Sequence, residues 1–239
     1  MPLDEMQTIG VLGGMSSEST RTYYRRIDRR INDALGGHSA GDIVIRSVNF
    51  AAIEQCIRDQ AWDSAASILV DAALDLEAAG VDFVVMATNT MHRVAPQLVE
   101  ALSVPFLHIV DVAADAIRAA GIETVGVLGT DAVMSGAFYH DRFASHGIET
   151  VVPDPSARED VDRIIFDELT AGEIRPDSRA RYLDVINGLV EAGAQGIVLG
   201  CTEIELLVEQ SDCPDTPLFD TTALHVERAV DRSLAAVVD

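Results

Sequence analysis

Cys201 stands in LGCTE, directly after the apolar run GIVLG, and Thr88 stands in ATNTMH, directly after FVVMA. A thiol and a hydroxyl at the carboxyl ends of strands suit proton transfer or nucleophilic attack, because backbone N–H groups at a following helix start can hold an anion nearby. A thiol titrates at about 8.5 and is lowered at a helix N-terminus, so Cys201 is expected to serve as a thiolate base or nucleophile. A threonine hydroxyl titrates far higher and can only relay a proton with help. The plainer alternatives are a small buried hydrophobe for Cys201 and a helix N-cap for Thr88. Asn89, Thr90 and Thr202 add amide and hydroxyl donors at the same two places, suited to a carboxylate. Glu203, two residues past Cys201, is the better candidate for orienting it, with Asp111 the weaker one. Gly13-Gly14-Met15-Ser16 makes a third loop after a strand, which adds Met15 and Ser16 to the candidate substrate contacts.

These positions are related by an internal repeat. TIGVLGG (Thr8–Gly14) returns as TVGVLGT (Thr124–Thr130), and EAAGVDFVVMATNT (Glu77–Thr90) returns as EAGAQGIVLGCTE (Glu191–Glu203). VPFLHIVD (Val104–Asp111) returns faintly as TPLFDTT (Thr216–Thr222). Three matches in one order imply two halves of like topology. Counting on from Ala79-Gly80 and Ala192-Gly193 sets Thr88 opposite Cys201. The runs Thr8–Leu12, Asp42–Val48, Val81–Met86, Phe106–Val110, Thr124–Leu128 and Gly196–Leu199 are short, apolar and non-alternating, as strands buried on both faces of a parallel sheet are. Helix-length stretches such as Trp62–Ala79 and Ser178–Ala192 lie between them. The expected fold class is α/β, with two similar Rossmann-like domains related by a pseudo-two-fold axis and a cleft between them. The expected division is residues 1–114 plus 219–239 and residues 115–218.

Composition narrows the partners. Acidic residues number 39 against 17 basic ones, all arginine, for a net charge of −22. Such a surface repels nucleic acid and anionic lipid, and 5% aromatics leave little for base stacking. Arginine in place of lysine could reflect genome composition, but the acid surplus points to a high-salt interior. No run reaches the roughly 18 apolar residues of a membrane span, and MPLDEMQTIG is not laid out as a signal peptide, so the chain is expected to be cytoplasmic. Cys56, Cys201 and Cys213 lack the spacing of a metal site, and Cys56 and Cys213 read as structural. His92 and His225 read as satisfied polar residues. GVLGGM is not a dinucleotide fingerprint, and a P-loop is excluded by the absence of lysine.

GVLGGMS, ATNTMHRVA, VPFLHIVD and LGCTEIELL together resemble the aspartate/glutamate racemase superfamily, in its aspartate racemase branch, from Ile9 to about Val226. The resemblance implies two Rossmann-like domains, a homodimer, no cofactor, and inversion of an amino acid by two opposed cysteines. The usual first cysteine is here Thr88, a Thr/Cys pairing similar to a subgroup associated with L-aspartate and L-glutamate. The distal carboxylate of such a substrate would need an arginine, with Arg46, Arg58, Arg158 and Arg163 as candidates. Two other readings stay open: a one-cysteine decarboxylase or isomerase of small dicarboxylic acids, and a non-enzymatic amino-acid-binding protein.

Overall fold

The computed structural model describes residues 6–238. The chain divides into two compact units, one running to Ile109 and resuming at His225, the other Val110–Leu224. The first holds β1 (Ile9–Gly13), α1 (Ser17–Leu35), β2 (Ile43–Ser47), α2 (Phe50–Arg58), α3 (Trp62–Ala78), β3 (Phe83–Met86), α4 (Ala95–Ala101) and β4 (Phe106–Leu107). Next come α5 (Ile109–Ala119), β5 (Thr124–Gly129), α6 (Asp131–Met134), α7 (Ala137–Ser145) and β6 (Glu149–Val151). The chain continues through α8 (Pro155–Asp167), α9 (Pro176–Glu191), β7 (Gly196–Gly200) and β8 (Leu218–Asp220) to α10 (Thr221–Val238). Among the described residues no helix is long and apolar enough to cross a membrane.

Each unit has one four-stranded parallel sheet, in the order β2-β1-β3-β4 and β6-β5-β7-β8. The winding is the same in both, so the repeated sequence is a repeated fold. β1, β3 and β7 are buried along their whole length, as strands covered on both faces must be. In the first unit Leu12, Val84 and Met86 pack with Leu69 and Leu76 of α3. Ile9, Val11, Phe83 and Val85 face the other way, onto Tyr23, Ile27 and Ile31 of α1 and Val226 and Val230 of α10. In the second, Leu128, Ile197 and Leu199 pack with Ile164 of α8 and Ile186 and Leu189 of α9.

The largest departures from the sequence reading are one shortened strand and two strands absent from the six expected runs. Phe106–Val110 is a strand only over Phe106–Leu107, because Ile109 already starts α5 and donates its N–H to the His92 ring rather than to the sheet. β6 and β8 have no apolar run to announce them. They are three-residue edge strands, half open on one side, and their composition follows.

The strand register makes the two units equivalent residue by residue. Leu12 of β1 pairs with Met86, and its repeat Leu128 of β5 pairs with Leu199. Two residues past each partner stand Thr88 and Cys201. In both sheets the strand order reverses between these central strands, and loops that leave a parallel sheet at such a point diverge to opposite faces and leave a crevice.

The loop after β1 needs glycine for a steric reason. Gly14 has φ +93°, and a Cβ there would lie 2.3 Å from the Val48 carbonyl oxygen. Gly36 shares the positive φ (+73°) but faces open space. Gly36→Ala should therefore cost only about 1 kcal/mol, whereas Gly14→Ala should cost about 1–3 kcal/mol more, since the overlap is with backbone. Denaturant unfolding of the two variants checks the difference; equal midpoints would contradict the close approach.

Candidate active site

In the first unit Thr88 is buried, its N–H turned back to the Met86 carbonyl at 2.9 Å. The segment that follows, Thr90–Val94, is a 3-10 helix with Asn89 in the capping position and no side-chain cap. Thr88 therefore does not cap a helix. Asn89 is buried beside it and Thr90 is half-buried. His92, also buried, holds the Thr88 carbonyl from Nδ1 at 2.7 Å and meets the Ile109 N–H at Nε2, 3.2 Å away. A carbonyl only accepts and an N–H only donates, so the ring is the neutral Nδ1–H tautomer with both nitrogens satisfied. His225 is satisfied likewise, taking a bond from the Tyr23 hydroxyl (2.8 Å) and giving one to the Leu107 carbonyl (3.0 Å). Burial pulls it down to about 4, so it too stays neutral. Both histidines are the satisfied polar residues their sequence suggested.

The loop after β1 is spent largely on structure. The Gly14 N–H donates to the Thr20 hydroxyl at 2.8 Å, Ser16 accepts from the Ser19 N–H as the N-cap of α1, and the Met15 side chain is buried with Leu12 and Ile53. Side-chain contact with a substrate at Met15 or Ser16 would have to displace one of these interactions.

In the second unit Cys201 follows β7, and Glu203 gathers its neighbours. Its Oε2 accepts from the Cys201 thiol at 3.0 Å and from the Thr202 hydroxyl at 2.6 Å. The expected lowering of the cysteine is reversed here. Burial, then the Glu203 charge and the hydrogen bond to it, push the thiol well up from its ordinary value. The physical cause is local. Only a three-residue 3-10 turn, Ile204–Leu206, follows the cysteine, so no helix N-terminus faces the sulfur, while a carboxylate does. Two phenols that the sequence did not single out complete the surroundings. Tyr139 and Tyr182 are buried, and burial followed by the nearby Cys201 sulfur holds both protonated. Nothing in their local sequence marks them, since they come from α7 and α9.

Asp111 is committed to other partners. Its carboxylate is gripped by Arg142 at 2.6 and 2.5 Å and by His146 at 2.8 Å. Of the four candidate arginines, Arg46 is paired with Asp75 (2.8 Å) and Arg58 with Glu54 (2.7 Å), while Arg163 lies 3.5 Å from Glu168. Arg158 differs. Its Nε is buried with no hydrogen-bond partner, and among the described residues its nearest carboxylate, Asp131 at the start of α6, is 3.8 Å away. Cys56 and Cys213 pack against the cores of their units, and among the described residues no cluster of His, Cys, Asp and Glu could hold a metal.

The Asp/Glu/Hydantoin racemase family matches residues 12–229, most of both units. The chain belongs to that family. It is similar to a protein from Yersinia pestis provisionally described as an Asp/Glu racemase, with 45% identity, a TM-score of 0.91, and coverage of 96% of this chain and all of that one. An aspartate racemase homologue from Pyrococcus horikoshii shares 31% identity at a TM-score of 0.86, over 95% and 99% of the two chains. The broad specificity amino-acid racemase RacX of Bacillus subtilis is 25% identical over 95% of this chain and 98% of its own length. As an amino-acid racemase, the chain must take a proton from an α-carbon and return one on the other side.

The Glu203 contact has a measurable consequence. Replacing the carboxylate by an amide removes a like charge beside the thiolate, so Glu203→Gln should lower the Cys201 pKa and speed its alkylation at a fixed neutral pH. Iodoacetamide labelling of the Cys201 peptide, followed by mass spectrometry from pH 7 to 10, checks this. A rate profile unmoved by the substitution would separate Glu203 from the thiol.

Proposed function

We propose that this racemase inverts aspartate or glutamate by proton transfer between two unlike groups, Thr88 and Cys201, acting on opposite faces of the α-carbon. The supporting observation is the register: each residue lies two positions past the partner of the same repeated leucine. Inversion needs one acid–base group per face, and a duplicated fold offers one from each copy. Cys201 rests as a thiol. It delivers a proton directly, and it removes one only after passing its own to Glu203. Thr88 is the weaker partner, so its face is the slow one. Asn89, Thr90 and Thr202, with the main chain of the Met15-Ser16 loop, hold the α-carboxylate, which also steadies charge building at Cα. Arg158 takes the distal carboxylate, because a buried guanidinium nitrogen without an acceptor gains most from one. The enzyme works without a cofactor, as a homodimer, in a salt-rich cytoplasm that suits its charge of −22.

In heavy water at high salt, Cys201→Ala should reduce exchange of the substrate α-hydrogen by about a hundredfold or more, and Thr88→Cys should raise turnover and even out the two directions. Nuclear magnetic resonance of the α-hydrogen signal reads both. Full exchange in Cys201→Ala would remove the cysteine from the reaction, and loss of substrate without inversion would move the chain to the decarboxylase or isomerase reading. Arg158→Ala should raise KM for aspartate about tenfold or more while leaving that for alanine unchanged. The breadth in the Bacillus relative's name makes a panel of amino acids the right substrate set.

A further inference from the structure

His92 does more in this geometry than fill a buried space. One side of its ring holds the carbonyl of Thr88 at 2.7 Å, and the other holds the N–H of Ile109, the first residue of α5, at 3.2 Å. The ring thus bridges the exits of two neighbouring strands, β3 and β4, where each has already left the sheet ladder. The turn that follows Thr88 is a 3-10 helix with no side-chain cap. Packing locks the ring in turn, with His108 at 4.6 Å and Phe106 at 5.6 Å between centroids.

We propose that His92 is a positioning residue for the Thr88 half-reaction: its Nδ1–H, by holding the Thr88 carbonyl, fixes the direction of the Thr88 hydroxyl. This rests on the Thr88/Cys201 reading above and names which contact makes the Thr88 side work. A hydroxyl that is a poor base depends more on placement than a thiol does, since about 1 Å of misplacement can cost on the order of a hundredfold. Loss of the His92 donor should therefore slow one face of the reaction and spare the other.

Two substitutions divide the ring's two bonds. His92→Asn keeps an N–H donor near the Nδ1 position but leaves Ile109 without its acceptor. His92→Gln places a carbonyl near the Nε2 position and leaves the Thr88 carbonyl without its donor. Solvent exchange of the α-hydrogen is followed from each enantiomer separately. The enantiomer still exchanged by Thr88→Ala defines the Cys201 side, and the other defines the Thr88 side. The expected result is a loss of about tenfold to a hundredfold on the Thr88 side alone in His92→Gln, with most of that side restored in His92→Asn. Equal losses on both sides, or equal losses in the two variants, would overturn the proposal, because a purely structural histidine predicts both. Failure of the racemase reading itself would look different, as wild-type protein that exchanges neither enantiomer. A measurement on the wild type serves if the variants do not fold. Long-range nitrogen–proton spectra should show His92 as the Nδ1–H tautomer, and an Nε2–H tautomer would end the proposal.

Discussion

Parallel pairing of β1 with β3, and of β5 with β7, is the constraint on which the chemistry depends. A parallel ladder fixes where each strand ends relative to its neighbour, and these two ladders are set at the same register, Leu12 to Met86 and Leu128 to Leu199. Slipping either pair by one residue would turn every side chain to the opposite face, setting it against helices shaped to pack a different residue. Burial on both sides of each sheet makes that slip costly. The positions of Thr88 and Cys201 are thus inherited from packing many residues away from them.

The surroundings of those two residues differ although their places match. Beyond β3, an imidazole with both nitrogens committed grips the backbone of Thr88. Beyond β7, a carboxylate accepts a hydrogen bond from the thiol while two buried phenols stand close by. A thiol raised by a carboxylate is a proton donor at neutral pH and becomes a base only when the carboxylate accepts its proton. A threonine hydroxyl is a far weaker acid and base than a thiol, so in the proposed reaction geometry must do more for it.

Charge plays a different role here from position. With a net charge of −22, an anionic substrate meets a repulsive surface and needs local positive charge to be held. Arg30, Arg46 and Arg58 sit on carboxylates at the surface, where each pair contributes little to stability. Arg158 keeps a buried nitrogen unsatisfied, and an unsatisfied buried donor is a standing cost that a bound carboxylate would relieve.

Much of this was legible in the sequence because the relevant patterns are local. Six strand runs and the three-part repeat could be read directly, since a strand buried on both faces needs an unbroken apolar run and duplicated loops keep their order. The equivalence of Thr88 and Cys201 followed from counting alone. Tertiary structure decided what spacing cannot carry. The end of β4 at Leu107 depends on His92 drawing the Ile109 N–H away from the sheet, and which of the four candidate arginines keeps an idle nitrogen depends on which carboxylates fold beside the others. The raised thiol was decided there as well: a sequence shows Glu203 two residues after Cys201, but only the fold shows its carboxylate turned onto the sulfur, with a three-residue 3-10 turn following in place of a longer helix. Short-range pattern records which residues are available, whereas a pKa reports on every group within a few ångströms, most of them distant along the chain.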